Sequence, residues 1–316
     1  METKKIVGVI LAAGKGTRIE PVSSRYPKPL LPICNKPVLQ YQIEEMRMAG
    51  IKEITIVIGH LGYEIANFFG DGSKYGVSLR YIEQGEILGI AHALGQIESH
   101  ISSTFFLFLG DLYLVFKQGL SSMISTFHTS NAAAVLSVIR ESNQEIIRKS
   151  FAVMMNEDGT VKRVIEKPRY YVSDITGCGY LFDPRIFDAI RRTPRTAMRD
   201  EYEITDSIQI LIDDGFTVTI DQNVFWMENI TYPQDLLRCN LRELKRKGRE
   251  REIGTGVTMH PDAKIINSIA GDGVVVKNPL EIVDSLILSN THIDLSGRID
   301  KAILTPERII DCRQTL

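Results

Sequence analysis

Clustered cysteine is what this 316-residue chain most conspicuously lacks. Its four cysteines, Cys34, Cys178, Cys239 and Cys312, are widely scattered and form no C-x-x-C pair. That excludes a disulfide framework or a cysteine-held metal and fits a reducing cytoplasm. An excess of one charge is also missing: 37 Lys and Arg against 39 Asp and Glu leave a net charge of −2. No global basic field therefore draws the chain to nucleic acid or to an anionic membrane. No apolar run approaches the length that spans a bilayer. The opening "METKKIVGVILAAG" puts two lysines before an apolar stretch, as a signal peptide does, but that stretch meets Lys15 and Arg18 with no cleavage region after it. It reads as a first strand, and the protein as cytoplasmic.

What is present is an ordinary globular composition, 44% apolar and 24% charged, with a length that suits one large domain plus a smaller one. Short apolar runs alternate with helical patterns through the first half. "KIVGVILAA", "EITIVIGH", "SLRYIEQ" and "TFFLFLGD" read as strands; "KPVLQYQIEEMRMAG", "GYEIANFFG" and "AHALGQIESH" read as helices, the first with Gly50 as its C-terminal cap. This alternation predicts an α/β fold, a doubly wound, mixed, mostly parallel sheet of Rossmann-like kind. Ligands of such sheets bind beyond the carboxyl ends of the strands. Those ends here are "AAGKGTR", "GH", "EQ" and "LGD".

Further on, "AAAVLSVIR" reads as a strand, "FAVMMNEDGTVKRVIEKP" as a hairpin and "CGYLFDPRIFDAI" as a strand and helix. "DEYEITDSIQILIDDG" reads as a helix, "FTVTIDQNVFWMEN" as a strand pair, and "PQDLLRCNLRELKRKGRERE" as an amphipathic helix whose charges form a solvated face. The pattern then changes. From about residue 253, small or branched apolar residues recur about every six positions between Gly, Asn, Asp and Ser. Stacked coils of a short β-solenoid read this way, and irregular hairpins are the alternative. The expected organisation is residues 1–250 as the chemical domain and 251–316 as the coiled one.

The segment "VILAAGKGTRIEPVSSRYPKPLLPI" ends a buried strand in glycines and supplies Lys15, Arg18, Arg25 and Lys28 within fourteen residues. A dinucleotide fingerprint fails because Ile19 stands where a third glycine is required, and a Walker loop fails because Gly16 follows Lys15. What remains is a glycine loop whose free N–H groups can face phosphate oxygens, with cations converging from the next segment.

"LAAGKGTRIEPVSSRYPKPLLPICNKPVL" closely resembles the signature of the sugar-phosphate nucleotidyltransferases, the nucleotide-sugar pyrophosphorylases. Members join a nucleoside triphosphate to a sugar 1-phosphate and release pyrophosphate. The resemblance spans roughly residues 5 to 245, and many members carry a left-handed β-helix afterwards. It implies the nucleotide-diphospho-sugar transferase fold and Mg²⁺ as cofactor. It implies a nucleotide site at Leu11, Ala13, Gly14, Lys15, Gly16, Thr17, Gln84 and Gly89, with Arg18 and Lys28 as catalytic cations. Asp111 in "FLGDLY" matches the metal-holding position, and Glu166, Lys167 and Gly177 match the sugar-phosphate side. In "FWMENITYPQDLL", Glu228 and Asn229 stand where the family's second metal ligand is expected, and either could contact the ion.

The chemistry suits these residues. A sugar phosphate must attack the α-phosphorus of another anion, so positioning and charge neutralisation carry most of the catalysis. Arg18 can hold leaving-group oxygens through its planar fork, and Lys28 is a compact charge whose backbone Pro27 and Pro29 fix. An aspartate such as Asp111 can hold Mg²⁺ together with the phosphates themselves. Blander readings stand beside these: Asp111 as a helix cap, Lys167 as a salt-bridge partner only, His60 and His92 as structural. Ile90 and "TGCGYLFD" depart from the family pattern and leave base and sugar open; Glu203 and Asp206 lie in a segment resembling one near the sugar site. The expected substrates are glucose 1-phosphate with dTTP or UTP, then mannose 1-phosphate with GTP. The alternative is a non-catalytic regulatory or assembly subunit. Self-association through the coil is expected, with no nucleic-acid or membrane partner.

Overall fold

The apolar run after Lys5 forms strand β1 (Ile6–Ala12), whose Val9 and Ile10 are fully buried. The computed structural model describes residues 5–24, 26–197 and 199–313; Arg25 lies outside them. Eleven of the following strands up to residue 221 are β2 (Pro32–Ile33), β3 (Lys36–Pro37), β4 (Glu53–Ile58), β5 (Ser78–Glu83), β6 (Thr104–Leu109), β7 (Leu112–Phe116), β8 (Ala134–Arg140), β9 (Phe151–Met155), β10 (Val161–Glu166), β11 (Ile175–Phe182) and β12 (Val218–Asp221). Strand β13 (Val224–Asn229) comes next. The helices are α1 (Val38–Met48), α2 (Gly62–Phe69), α3 (Ile90–Gln96), α4 (Ser121–Thr129), α5 (Gln144–Ile147), α6 (Ile186–Arg192), α7 (Ile204–Asp213) and α8 (Pro233–Arg246). The chain divides into two units, Met1–Gly14 with Gln42–Met227, and Lys15–Tyr41 with Glu228–Leu316.

The first unit is built on a mixed sheet ordered β12-β8-β11-β6-β1-β4-β5, with the β9–β10 hairpin attached to β11. β1 runs parallel to β4 and β6, and β4 to β5, while β11 is antiparallel to both β6 and β8. One face carries a continuous core in which Val9, Leu107 and Phe182 meet Leu94 of α3, Phe187 of α6 and Ile208 of α7. Burying each such side chain contributes about 1.5–3 kcal/mol. On the other face α1 lies close over β1: a Cβ on Gly8 would stand 2.4 Å from Met46 Sδ. Gly50 follows α1 at φ 83, as its capping role requires. Helices on both faces make this the doubly wound α/β class.

Two local expectations change. "FTVTIDQNVFWMEN" yields two strands that do not pair with each other: β12 joins β8 in parallel, and β13 pairs with β7. The link between them holds no glycine for a primed hairpin turn. Asn223 is fixed elsewhere instead, its N–H donating to Asp221 Oδ1 (3.0 Å) and its carbonyl accepting from Lys117 N–H (2.8 Å). The second change concerns Asp111. It is followed directly by strand β7, so it caps no helix.

In the second unit the coil begins with β14 (Arg251–Ile253), β15 (Thr258–Met259), β16 (Lys264–Ile266), β17 (Ser268–Ala270), β18 (Val275–Val276) and β19 (Leu280–Val283). It continues through β20 (Leu286–Ile287), β21 (His292–Ile293), β22 (Gly297–Asp300), β23 (Ala302–Leu304) and β24 (Ile309–Asp311). Three parallel ladders, β14-β17-β20-β23, β15-β18-β21 and β16-β19-β22, form the sides of a solenoid. Partners lie one coil of 17 residues apart, as in the Asn267–Asp284 and Glu281–Arg298 side-chain pairs. Rows such as Ile265 over Ile282 and Ala270 over Ile287 fill the interior. Two corners per coil take the left-handed conformation, at Gly256, Gly273 and Asn290 and at Asn267, Asp284 and Lys301. The hairpin alternative is thereby excluded. α8 packs on β17 and β23, where Ile269, Leu286 and Ile303 form a fully buried row. Asn240 of α8 ties β2 to it, accepting from Cys34 N–H (2.8 Å) and donating to the Pro32 carbonyl (2.8 Å). Among the described residues no helix is long and apolar enough to cross a membrane.

Candidate active site

Strand order reverses beside β1: β4 and β5 extend the sheet one way, and β6 and β11 the other. Such a reversal opens a crevice at the carboxyl ends of the two central strands. Ala13 and Gly14 follow β1, and Gly110 and Asp111 follow β6, so they flank that crevice. The ends are held level by the Gly110 N–H donating to the Leu11 carbonyl (2.8 Å). On the other side of β1, Gly59 presses on Ala13: a Cβ there would lie 2.8 Å from the Ala13 carbonyl oxygen. Gln84 continues the line from β5, its N–H donating to the Ile58 carbonyl (2.8 Å) and its own side chain to the Glu86 carbonyl (3.0 Å). Leu11, Ala13, Gly14, Gln84 and Asp111 thus share one edge of one sheet.

A residue absent from the sequence reading fixes Asp111. Gln42 of α1, 2% exposed, donates from one Nε2 to the carbonyls of Leu109 and Leu112, each at 2.7 Å. These carbonyls bracket Gly110 and Asp111, so one amide clamps the turn between β6 and β7. Orphaning a buried acceptor costs about 1–3 kcal/mol. Gln42→Met keeps most of the volume but neither bond, and is expected to lose about 2–4 kcal/mol in urea denaturation. Hydrogen exchange should show lost protection at Gly110 and Asp111; unchanged protection there would refute the clamp.

Gly89 introduces α3 at φ 108, and Tyr202 occupies the space where a side chain would be. Tyr202 N–H donates to the Leu88 carbonyl (2.7 Å) and its carbonyl accepts from Ala91 N–H (3.1 Å). Its ring stacks on His92 at 5.8 Å, giving that histidine a structural role. The Gln84–Gly89 segment is therefore joined to the segment carrying Arg199 and Glu203.

Those two residues form an ion-paired cluster with Glu166 and Lys167, the pair expected on the sugar-phosphate side. Arg199 Nη1 donates to Glu203 Oε1 (2.5 Å) and Glu166 Oε1 (3.3 Å), while Thr205 Oγ1 donates to Glu166 Oε2 (3.4 Å). Lys167 takes the left-handed conformation at φ 42, with Nζ 3.8 Å from Glu166 Oε1. Burial, reinforced by the Glu203 carboxylate, pushes Glu166 up to about 7 against the opposing pull of Lys167 and Arg199. Gly177 sits at a bulge in β11 opposite Val138, under the Phe151 ring, and its carbonyl accepts from Ser150 Oγ (3.1 Å). Bulges re-aim strands beside binding sites.

The second unit holds the remaining candidates. Lys15, Thr17 and Arg18 are exposed, and Gly16 takes φ 69. A Cβ on Gly16 would lie 3.0 Å from Lys28 Cγ, so the lysine stem runs directly over the loop. Ser23 Oγ donates to the Gly16 carbonyl (2.9 Å) and closes the turn. Glu228 is committed to Arg238, which donates through Nη2 (2.6 Å) and also holds Asp235 (2.6 Å). Asn229 is exposed, and its Oδ1 accepts a 3.3 Å bond from Thr231 Oγ1. The four cysteines are buried; burial pushes Cys34 and Cys178 up to about 12, so neither is a nucleophile at neutral pH.

Among the described residues, no three acidic, histidine or cysteine side chains gather into a complete metal cage. A Mg²⁺ site does not need one, since this ion keeps waters and shares phosphate oxygens with one or two protein groups. Asp111, half-buried on a clamped turn, fits that role.

Residues 7–243 match the nucleotidyl transferase family, and the chain belongs to that family of enzymes. Its relatives include the low-salt glycan biosynthesis nucleotidyltransferase of Haloferax volcanii, 35% identical, with 78% of this chain and 70% of that protein covered. The glucose-1-phosphate thymidylyltransferase of Streptomyces antibioticus is 31% identical over 92% of this chain and 83% of its own length. A solved UDP-glucose pyrophosphorylase with UDP-glucose superposes with a TM-score of 0.67 over 77% of this chain and all of that one, at 22% identity, a likeness of fold.

Proposed function

We propose that this nucleotidyl transferase uses glucose 1-phosphate as acceptor and dTTP or UTP as donor, with mannose 1-phosphate and GTP as the next pair. The reaction joins the nucleotidyl group of a nucleoside triphosphate to a sugar 1-phosphate and releases pyrophosphate. The observation that carries this reading is the crevice where strand order reverses, with the glycine end of β1 on one side and Asp111 on the other. Relatives named for glucose-1-phosphate thymidylyl and uridylyl transfer support the substrate choice.

A sugar-phosphate oxygen forms a bond to the α-phosphorus while the bond to pyrophosphate breaks, so negative charge crowds at the α- and β-phosphates. Lys28 neutralises the first and Arg18 the second, while the N–H groups of residues 14–17 hold the chain of phosphates. Gln84 and the Gly89 segment receive the base. Glu166 accepts from sugar hydroxyls, and Lys167 faces the sugar phosphate. Asp111 would hold Mg²⁺, and Glu228 is retained by Arg238. When bound, that ion supplies positive charge against the repulsion between the two substrates. Residues 1–250 carry the transfer, and the coil of residues 251–316 serves self-association. The cytoplasm, where both substrate classes are made, is the proposed location.

A matrix of five triphosphates against a panel of sugar 1-phosphates, read by pyrophosphate release, tests the assignment. Strongest turnover is expected with glucose 1-phosphate and dTTP or UTP. No turnover with any pair would favour a non-catalytic subunit.

Glu166 makes the reaction pH-dependent. A carboxylate raised to about 7 gains its accepting, ionised form as pH rises, so kcat/KM for the sugar phosphate should climb roughly tenfold from pH 6 to pH 8. Glu166→Gln should flatten that rise; an unaltered slope would remove Glu166 from the sugar site. Stability runs the other way. The folded form holds this proton more tightly than the unfolded chain, so the contribution is complete below the ordinary carboxylate range and is lost as pH rises through about 7.

A further inference from the structure

The chain crosses from β5 to α3 through residues 84–89, and both ends of this crossing are anchored in main chain. The Gln84 N–H donates to the Ile58 carbonyl (2.8 Å), and the Leu88 carbonyl accepts from the Tyr202 N–H (2.7 Å). The middle is held differently. Gly85, Glu86 and Ile87 are exposed, and among the described residues their backbone groups find no main-chain partner. Two side-chain amides take that place. Gln96, the last residue of α3, accepts from the Gly85 N–H through Oε1 (3.3 Å) and donates from Nε2 to the Glu86 carbonyl (3.4 Å). Gln84 donates to the same Glu86 carbonyl (3.0 Å).

A glutamine exposed at a helix end is ordinarily a solvated residue, and its bonds here are long. What sets Gln96 apart is that it is oriented from two sides. Its amide nitrogen also stands 3.2 Å from Nδ1 of His92, one turn back on the same helix face, and the His92 ring stacks on Tyr202. The side chain therefore lies between that stack and the turn at Gly85 and Glu86. The turn in its place constrains Gln84. With one Nε2 hydrogen given to the Glu86 carbonyl, the 8% exposed Gln84 amide can offer Oε1 as acceptor and its second hydrogen as donor, in a set order. A fixed order of donor and acceptor is what lets a site reject a ligand whose edge does not match it.

We propose that Gln96 is a positioning residue for base recognition: by holding Gly85 and Glu86 it fixes the direction in which the Gln84 amide meets the base of the triphosphate. This rests on the assignment of Gln84 to the base. Gln96 touches no substrate and acts through the turn. Without it, an exposed stretch with few backbone bonds samples other conformations, and ordering that stretch on binding is subtracted from affinity. The Gln84 amide can then turn to suit either edge, so affinity falls most for the base that the native orientation favours.

The test is calorimetric titration of dTTP, UTP, GTP, ATP and CTP, each with Mg²⁺, into the full-length protein, Gln96→Met, Gln84→Ala and the double variant. Methionine keeps the length of the side chain and removes both bonds. In Gln96→Met, Kd for the best triphosphate should rise about tenfold. The ratio of Kd between the best and second-best triphosphates should shrink about fivefold, a readout in which the shared phosphate contacts cancel. The melting temperature should move by less than about 2 °C, as for a surface substitution. The double variant should discriminate no worse than Gln84→Ala alone, because Gln96 works through that amide. Wild-type discrimination in Gln96→Met, with discrimination lost in Gln84→Ala, overturns the inference and leaves the base assignment standing. Full additivity in the double variant does the same, as does a Gln96→Met loss that is equal for every triphosphate and tracks a lowered melting temperature. Absence of any base preference in the wild-type chain, or its survival in Gln84→Ala, overturns the base assignment and this inference together.

Discussion

Lys28→Met is expected to lower kcat by about 100-fold or more, with KM for both substrates moving far less. The side chain is 7% exposed and opens a short helical turn between Pro27 and Pro29, with its stem laid over Gly16. Its position is thus set by the same loop whose N–H groups would hold the phosphates. A charge held still before the reaction begins stabilises the crowded transition state without reorganisation, and losing one such contact costs about 3–4 kcal/mol. Methionine keeps the stem and removes the charge, so folding should survive; taking a cation out of a buried place is often neutral for stability when packing is kept. Lys28→Arg should not restore turnover, since the wider guanidinium cannot occupy the place of an ammonium over Gly16. Pyrophosphate release at saturating substrates measures this. Wild-type kcat in Lys28→Met would end the assignment.

Gly89→Ala should damage stability and catalysis together. At φ 108 any side chain is strained, at about 1–3 kcal/mol. The new methyl would also stand 2.5 Å from the Tyr202 carbonyl oxygen and 2.8 Å from its nitrogen, both backbone atoms. The collision can be relieved only by moving the segment that carries Arg199 and Glu203, which breaks the bonds from Tyr202 to Leu88 and from Ala91 to Tyr202. A loss of about 3 kcal/mol or more in denaturant unfolding is expected. KM for the sugar phosphate should rise along with that for the triphosphate, because one backbone bridge serves both segments. A rise confined to the triphosphate, with unchanged stability, would show that Gly89 only faces the base.

The strands beside the crevice were legible because each is an apolar run ended by glycine or a polar residue, as "VILAAG" and "FLFLGD" show. The solenoid was legible for a related reason: three short sides per 17-residue coil impose apolar residues about every six positions. Partners that are distant in sequence were not legible. Nothing local in "LYLVF" tells that β7 pairs with β13, more than a hundred residues later, and without that partner Asp111 read as well as a helix cap. Gln42 looks like one more polar residue of an amphipathic helix until the turn between β6 and β7 is placed beneath it. Arg199 was not singled out in the sequence; it reaches Glu166 because β10, which ends in Glu166, packs on α7, just ahead of which Arg199 and Glu203 lie.

The last strand of the coil has a consequence for how this protein can change. β24 turns back and lies antiparallel on β23, covering one of the three sides that a further coil would have joined. An uncovered rung offers its N–H and carbonyl groups to any other chain, which is how fibres begin. On that side a further rung can be added only by insertion ahead of the lid. Each added 17 residues would extend the stack by one strand spacing, about 4.8 Å, while the sheet bearing the crevice stays as it is.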